Sequence, residues 1–440
     1  MQGAVPTIGD GLLVIKGDSA NQWLFLQPDK PDWVVTNDSG AAILAQCDGC
    51  KSLKQIAESL ALEYTDVATF HRHVRDKSSL LEEIPGAIAG DWQLQTSASL
   101  ERITLNSVHL NLTQNCNLAC SYCYATARPS VPTTLPVSAW QSILHQINAF
   151  AGKVTVSFTG GEPLLVPFCL DLAKHSRELG NKNHLLTNGM AITKKNAARV
   201  ANSFDLIRIS IDGSDKATHE DHRGSNTFEK TLNAVELLKK ENAALTVSMT
   251  VTQRNLTDIA EMCRKFGANL SFQPLFKAGS ASKNSDLEIS GEQYYFALAG
   301  VQGTKPLAAL ESILDNAKQR KNRKCAIGDA EISIAPNGDI FPCHMLHEPS
   351  LCAGNALKED IATIYKTSSV LKSCRSLTVE NIEGCRDCPI RYICGGSCRA
   401  RAYFETGRLD KAGDFCSYEK LAFVEGIFNT SNFSQSAGQE

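Results

Sequence analysis

No stretch of this 440-residue chain approaches the roughly 20 consecutive apolar residues needed to span a bilayer. The opening "MQGAVPTIGDGLLVIKGD" lacks the basic start and long apolar run of a secretory signal. An excess of charge is missing too: 44 basic side chains stand against 47 acidic ones, so the whole chain carries no electrostatic footprint for nucleic acid. These absences predict a soluble, cytoplasmic protein with neither membrane nor nucleic acid among its partners. The composition, 43% hydrophobic and 21% charged, is that of an ordinary globular protein. Its length exceeds one compact core and predicts roughly two to four domains.

Cysteine is what the chain has in excess. Sixteen are many for a reducing compartment, where disulfides are rare and grouped thiolates usually hold metal. Cys116, Cys120 and Cys123 form one knot, and Cys325, Cys343, Cys385, Cys388, Cys394, Cys398 and Cys416 a second. Cys47, Cys50, Cys169, Cys263, Cys352 and Cys374 are scattered between.

Three segments follow from the local patterns. Short β-like runs, "LLVIK", "NQWLFL" and "DWVVT", precede three stretches of helical spacing. Ser52 and Thr65 are N-cap candidates for the last two, and Gln55 completes a capping box with Ser52. This predicts a winged-helix-like domain over 1–85, followed by a linker over 86–104. From 105 to 320 strands and amphipathic helices alternate, with strands expected at "VHLNLT", "VTVSFT", "NHLLTN", "LIRISI", "LTVSMTV" and "NLSFQPL". Such βα repeats predict an α/β fold, a partial (β/α)6 TIM-like barrel with its working residues after the strand C-termini. Over 321–440 the regular pattern fades, and cysteine, glycine and proline predict a small cysteine-rich region of turns held by metal.

The stretch "LTQNCNLACSYCYA" falls after the first barrel strand. A cubane iron–sulfur cluster normally takes four cysteines, so three leave one iron open to a small molecule. A zinc site completed from elsewhere, or buried structural thiols, fits the same count. The C-x3-C-x2-C spacing with an aromatic before the last cysteine resembles that of the radical S-adenosylmethionine (radical SAM) enzymes. The resemblance implies that Cys116, Cys120 and Cys123 hold a 4Fe–4S cluster whose open iron takes the amino and carboxylate groups of S-adenosylmethionine. Cleavage of that cosubstrate releases a 5′-deoxyadenosyl radical, which abstracts hydrogen from substrate.

Further matches follow in order. "FTGGEPLL" resembles the family's GGEP motif, with Gly160 and Gly161 allowing close backbone approach and Glu162 accepting from the cosubstrate ammonium. Asn188 in "LLTNG" lines the site on the same resemblance. Ser210 and Asp212 in "SIDG" stand where the family contacts ribose or carboxylate, although a plain strand-end cap also explains Asp212. Arg223 in "HEDHRG" meets the cosubstrate carboxylate or forms a surface salt bridge. Tyr122 is expected to pack near adenine.

The second knot, Cys325-x12-Gly338-x4-Cys343, then Cys385-x2-Cys388-x5-Cys394-x3-Cys398 and finally Cys416, resembles the SPASM extension found behind radical SAM barrels. By spacing alone a pair of zinc knuckles is the other reading. The resemblance implies two auxiliary 4Fe–4S clusters, and so three in all. The first falls to Cys325, Cys343 and Cys398, the second to Cys385, Cys388, Cys394 and Cys416. Since "CAIGDAEISI" has no second cysteine after Cys325, the first auxiliary cluster has an open iron or borrows Cys352.

Residues 32–60, "DWVVTNDSGAAILAQCDGCKSLKQIAESL", resemble the peptide-recognition element related to the small pyrroloquinoline quinone chaperone. That implies capture of a precursor leader by strand addition to the exposed ribbon edge, with side-chain pockets against the third helix. Cys47 and Cys50 are then packing residues. The expected enzyme is a peptide maturase that installs a thioether or carbon–carbon crosslink in a ribosomally made precursor, using an electron donor such as flavodoxin or ferredoxin. The alternatives are oxidation of a single protein residue, as in anaerobic sulfatase maturation, and a haem-pathway reaction. Against the former, His344 follows Cys343 where sulfatase maturases resemble one another in an acidic residue.

Overall fold

In the computed structural model, residues 6–8, 11–17, 21–83, 104–125, 134–299, 301, 314, 317 and 322–430 are described. The expected linker, apart from Thr104, and the expected boundary near 320 lie outside them.

At the N-terminal end, strand β1 (Pro6–Ile8) is followed by β2 (Leu13–Lys16), β3 (Trp23–Gln27) and β4 (Asp32–Thr36), the last three forming one antiparallel sheet. Helix α1 (Asp38–Ala45) begins at Asn37, whose side chain accepts from Gly40 N, and α2 (Leu53–Leu60) opens on the Ser52–Gln55 capping box. The cap expected at Thr65 is not formed. Helix α3 (Tyr64–Lys77) starts before it, with Glu63 as its extended first residue and no side-chain cap. The reason is local: α2 ends on left-handed Ala61, so the reversal leaves only Leu62 and Glu63 before the next helix. Strand β5 (Leu81–Glu83) returns to pair with β1.

The sheet is buried on both faces, as its near-continuous apolar strands require. Phe25 packs with Ile43, Leu44, Ile56, Val67 and Val74 of the three helices. On the other face Leu24, Leu26, Trp33 and Val35 pack against Cys388, Ile390, Ile393, Phe423 and Ile427, far along the chain. Asp29 in the β3–β4 turn also pairs with Arg391. The winged-helix-like unit therefore shares a core with the cysteine-rich region.

The six expected barrel strands all form: β6 (Ser107–Asn111), β7 (Thr155–Thr159), β8 (Lys182–Thr187), β9 (Leu206–Ser210), β10 (Leu245–Val251) and β11 (Leu270–Pro274). They are parallel and adjacent in chain order, as short βα repeats dictate. Helices between them, among them α4 (Val137–Ala151) with Trp140, Ile143, Leu144 and Ile147 buried, close the apolar outer layer against Val108, Leu110, Val156 and Phe158.

Beyond residue 320 the chain is more regular than its sequence suggests. Strand β12 (Glu331–Ile334) joins the barrel sheet parallel to β6, and β13 (Asp339–Phe341) and β14 (Gly354–Asn355) extend it antiparallel to nine strands. Helices Ile361–Thr367, Ser369–Ser376, Arg399–Thr406 and Cys416–Thr430 follow. Arg401 joins this region to the barrel. Its guanidinium donates to the carbonyls of Leu275 (2.6 Å) and Pro274 (2.8 Å) and lies between the rings of Phe276 and Phe415. Among the described residues no helix is long and apolar enough to cross a membrane.

Candidate active site

The three-cysteine loop leaves the C-terminal end of β6 and is held by its neighbours from every side. Gly161 N donates to Thr113 O (2.7 Å) and Glu162 N to Asn115 O (2.9 Å), so the GGE turn after β7 forms backbone bonds directly with the loop. A Cβ on Gly160 would stand 2.4 Å from Thr113 O, and one on Gly161 2.1 Å from Asn115 O. The glycines are thus required first by the cysteine loop itself, with Gly160 also at a positive φ of 125°. On the far side Ser121 N donates to His222 O (3.0 Å) and Ser280 N to Cys123 O (2.8 Å).

Cys116 and Cys120 lie within electrostatic reach of Cys123, and both are harder to ionise for it. Burial is the larger effect and pushes the Cys120 thiol up to about 11. Such thiols ionise when a cation pays for the charge, which suits a metal cluster. Asn188 Nδ2 points at this group, 3.7 Å from Cys116 Sγ and 2.8 Å from Asn117 Oδ1. Glu162, fully buried after β7, accepts from Leu164 N (3.1 Å), Thr187 Oγ1 (2.8 Å) and Asn188 N (2.8 Å). Burial raises its carboxyl to about 7 against these bonds. The side chain so ties β7 to β8, and of a carboxylate's roughly four accepting positions it keeps one, on Oε2, for a ligand.

Asp212, Arg223 and Tyr122 come together as one buried network. Arg223 Nε and Tyr122 Oη both donate to Asp212 Oδ2, Arg223 Nη2 donates to Tyr122 Oη, and Thr250 N donates to Asp212 Oδ1 (2.8 Å). Arg223 is 8% exposed and Asp212 0%, which overturns the surface salt bridge for Arg223. Ser210 stands apart, at the end of β9 beside Ser248 of β10. Burial pushes the Asp212 carboxyl up, but the Arg223 charge and the Tyr122 and Thr250 bonds outweigh it and hold it below 3.8. Asp212→Asn should cost about 3–5 kcal/mol, because it strands a buried guanidinium, and thermal unfolding of the reconstituted enzyme measures the loss. The carboxylate's contribution is complete well above pH 3.8 and fades only as pH falls through its depressed value.

Sequence reasoning missed the wall opposite. The register of β12 on β6 sets Glu331 beside Ser107 and Ser333 beside His109. Glu331 Oε1 bonds His344 Nδ1 (2.9 Å) and lies 3.6 Å from His109 Nε2, and the two imidazoles stack at 4.2 Å. Burial raises Glu331, yet His344 and His109 together hold it at about 2. Ser333 Oγ bonds His347 Nε2 (2.9 Å) and accepts from Asn111 Nδ2 (2.7 Å). A cavity of ≈ 240 Å³ opens between this wall and the cysteine loop, lined by Asn111, Tyr124, Gly160, Gly161, His344 and His347. The only sequence signal was the polar alternation in "SVHLN", with His109 and Asn111 between apolar residues.

The second cysteine knot divides into two groups. Cys343 packs with Cys325 and Cys398, and these thiols act on one another electrostatically. Cys385, Cys388, Cys394 and Cys416 line one small cavity together. The split between Cys394 and Cys398 comes from three successive left-handed residues, Gly395 (φ 71°), Gly396 (φ 90°) and Ser397 (φ 58°), which reverse the chain between them. Cys352 turns to Gly354 O (3.6 Å), whereas buried Cys374 packs in the Cys343 group and is pushed up to about 11 by burial and by Cys325. Cys47 is buried with its thiol on Ile43 O (3.3 Å), a packing role, while Cys50 is exposed.

A parallel barrel with a three-thiol loop after its first strand and a thiol-lined extension defines a class, and the comparisons name it. Residues 110–266 match the Radical SAM superfamily, 325–389 the SPASM iron–sulfur cluster-binding domain, and 22–81 the coenzyme PQQ synthesis protein D (PqqD). The chain thus carries a radical SAM domain. Beside it stand an iron–sulfur-binding SPASM extension and a PqqD-like N-terminal unit. An AdoMet-dependent heme synthase of Methanosarcina barkeri is 26% identical over 70% of this chain and 95% of its own length. A PqqA peptide cyclase of Streptomyces rochei is 26% identical over 68% of this chain and 85% of its own length. The structure of SuiB from Streptococcus suis, bound to its precursor peptide SuiA, is 15% identical over 93% of this chain and 99% of its own, with a TM-score of 0.55. The fold is the same.

Proposed function

We propose that this enzyme installs a thioether or carbon–carbon crosslink in a ribosomally made precursor peptide whose leader binds the N-terminal sheet. The observation that carries the reading is that both faces of that sheet are packed, so its edges alone offer backbone to a partner. At β2 the ring of Phe428 crowds Gly17. The β4 edge instead meets the end of α3, where Ser79 Oγ donates to Asp32 Oδ2 (2.9 Å), and no strand pairs with it among the described residues. The leader adds there, beside α3. A PqqA peptide cyclase and a mycofactocin maturase among the relatives support a peptide substrate.

Three 4Fe–4S clusters fit the thiols as grouped: Cys116, Cys120 and Cys123 in the barrel, Cys325, Cys343 and Cys398 behind it, and Cys385, Cys388, Cys394 and Cys416 outermost. When bound, the barrel cluster and S-adenosylmethionine supply the 5′-deoxyadenosyl radical that takes hydrogen from the peptide. The chain's part is placement. Gly160 and Gly161 set the cysteine loop against the cavity floor, Glu162 and Asn188 fix the ends of β7 and β8 around the cosubstrate, and Tyr122, Asp212 and Arg223 brace the opposite side. His344, held by Glu331, faces the cavity from the side of Cys343. Electrons come from a donor such as flavodoxin or ferredoxin, and the setting is cytoplasmic. A haem-pathway reaction, suggested by the heme synthase relatives, gives the PqqD-like unit nothing to bind.

Two outcomes test this reading. A leader peptide with one mid-strand proline should lose most of its affinity for the full-length holoenzyme, because a ladder donor is gone. Many leader side chains should tolerate substitution, and a few pocketed apolar ones should not. Fluorescence anisotropy measures both, and a proline leader that binds like the parent excludes strand addition. Glu162→Ala should weaken S-adenosylmethionine binding by roughly 1.5–3 kcal/mol, as expected when a charged hydrogen-bonding group is lost. Equilibrium dialysis with the cosubstrate reads this, and unchanged affinity would remove Glu162 from the site.

A further inference from the structure

Arg399 is a buried cation that lacks a buried anion. Its residue is 1% exposed, and its guanidinium meets only carbonyls: Leu409 O (3.1 Å) and Lys411 O (2.9 Å) from Nη1, and Gly396 O from Nη2. Asp410 acts on it electrostatically but is itself paired with Arg408, and the Arg399 Nε–H is buried without a partner. A buried guanidinium without a contact anion and an orphaned donor are each costly, so together they point to an anionic acceptor that occupies the space beside them. That space is the small cavity lined by Arg399 and by Cys385, Cys388, Cys394 and Cys416. Arg399 reaches the position because Cys398 caps the helix Arg399–Thr406, whose first residue is turned back under the Gly395–Gly396 reversal.

We propose that Arg399 sets the reduction potential of the outermost cluster, its Nε–H donating to a cluster sulfur and its charge favouring the reduced, more negative form. This rests on the reading that the four cysteines hold a cluster. Hydrogen bonds to sulfur and nearby charge are established determinants of cluster potential. Arg399 is a positioning and tuning residue, since it acts on electron flow through the cluster and touches no substrate.

The test uses full-length protein carrying Cys116→Ala, Cys120→Ala and Cys123→Ala, so that only auxiliary clusters remain, and follows their potentials by EPR-monitored redox titration. Arg399→Met should move one of the two auxiliary couples to lower potential by at least tenfold in its equilibrium, about 59 mV for one electron, and leave the other in place. Arg399→Lys, which keeps the charge and loses the Nε–H, should fall between. Unchanged potentials at full iron content in Arg399→Met overturn the proposal. Should Arg399→Met fail to hold iron, pulsed EPR on the reduced protein labelled with 15N-arginine decides: a nitrogen coupling that vanishes in Arg399→Lys supports the contact, and its absence before substitution overturns it. An iron content near zero before any change at Arg399 would instead remove the cluster reading itself.

Discussion

Replacing Cys116, Cys120 and Cys123 together with alanine should take anaerobically reconstituted protein from about twelve irons per chain to about eight, at about four per cubane cluster. Reductive cleavage of S-adenosylmethionine to 5′-deoxyadenosine and methionine should vanish with them. The loop itself should survive the change. Its backbone is tied to Gly161 and Glu162 on one side and to His222 and Ser280 on the other, and none of these bonds uses a thiol. Iron analysis and chromatography of the cleavage products measure the two effects. Wild-type protein with about four irons, and zinc in place of the rest, would exclude both auxiliary clusters.

Deleting residues 1–85 should do more than abolish peptide binding. If the N-terminal unit were a separate module, the truncated enzyme would keep the three proposed clusters, since every cysteine assigned to them lies beyond residue 100. The structure predicts otherwise. Leu24, Leu26, Trp33 and Val35 cover Ile390, Ile393, Phe423 and Ile427 and the back of Cys388. Burial of each such apolar side chain is worth about 1.5–3 kcal/mol, and removing four of them opens the outermost cysteine group to water. The truncated protein should lose about four irons and associate through the bared patch. Iron content and size-exclusion chromatography check this. Retention of full iron by a monomeric truncated protein would show that the shared core is dispensable.

The six barrel strands and the three helices of the N-terminal unit were legible because each rests on a local period, two or 3.6 residues, that burial then rewards. Both cysteine knots were legible because cysteine spacing within a loop is a local property. The exceptions are instructive. Thr65 looked like a cap by residue type, yet the left-handed end of α2 at Ala61 moved the start of α3 ahead of it. The C-terminal region read as turns because β12 has only four residues and gains its stability from pairing with β6, more than 200 positions earlier.

By itself the sequence determined the α/β repeat, the three-thiol loop after the first barrel strand and the spacing of the second cysteine knot, all of which depend on neighbours in the chain. Only the tertiary structure decided which groups meet across long separations. It drew Asp212, Arg223 and Tyr122 into one network. It brought Glu331 and His344 to the cavity wall beside His109, and it laid the N-terminal sheet over the outermost cysteines. Those meetings follow from closing the cores, in which every apolar face must find a partner, and no short stretch of residues records which partner that will be.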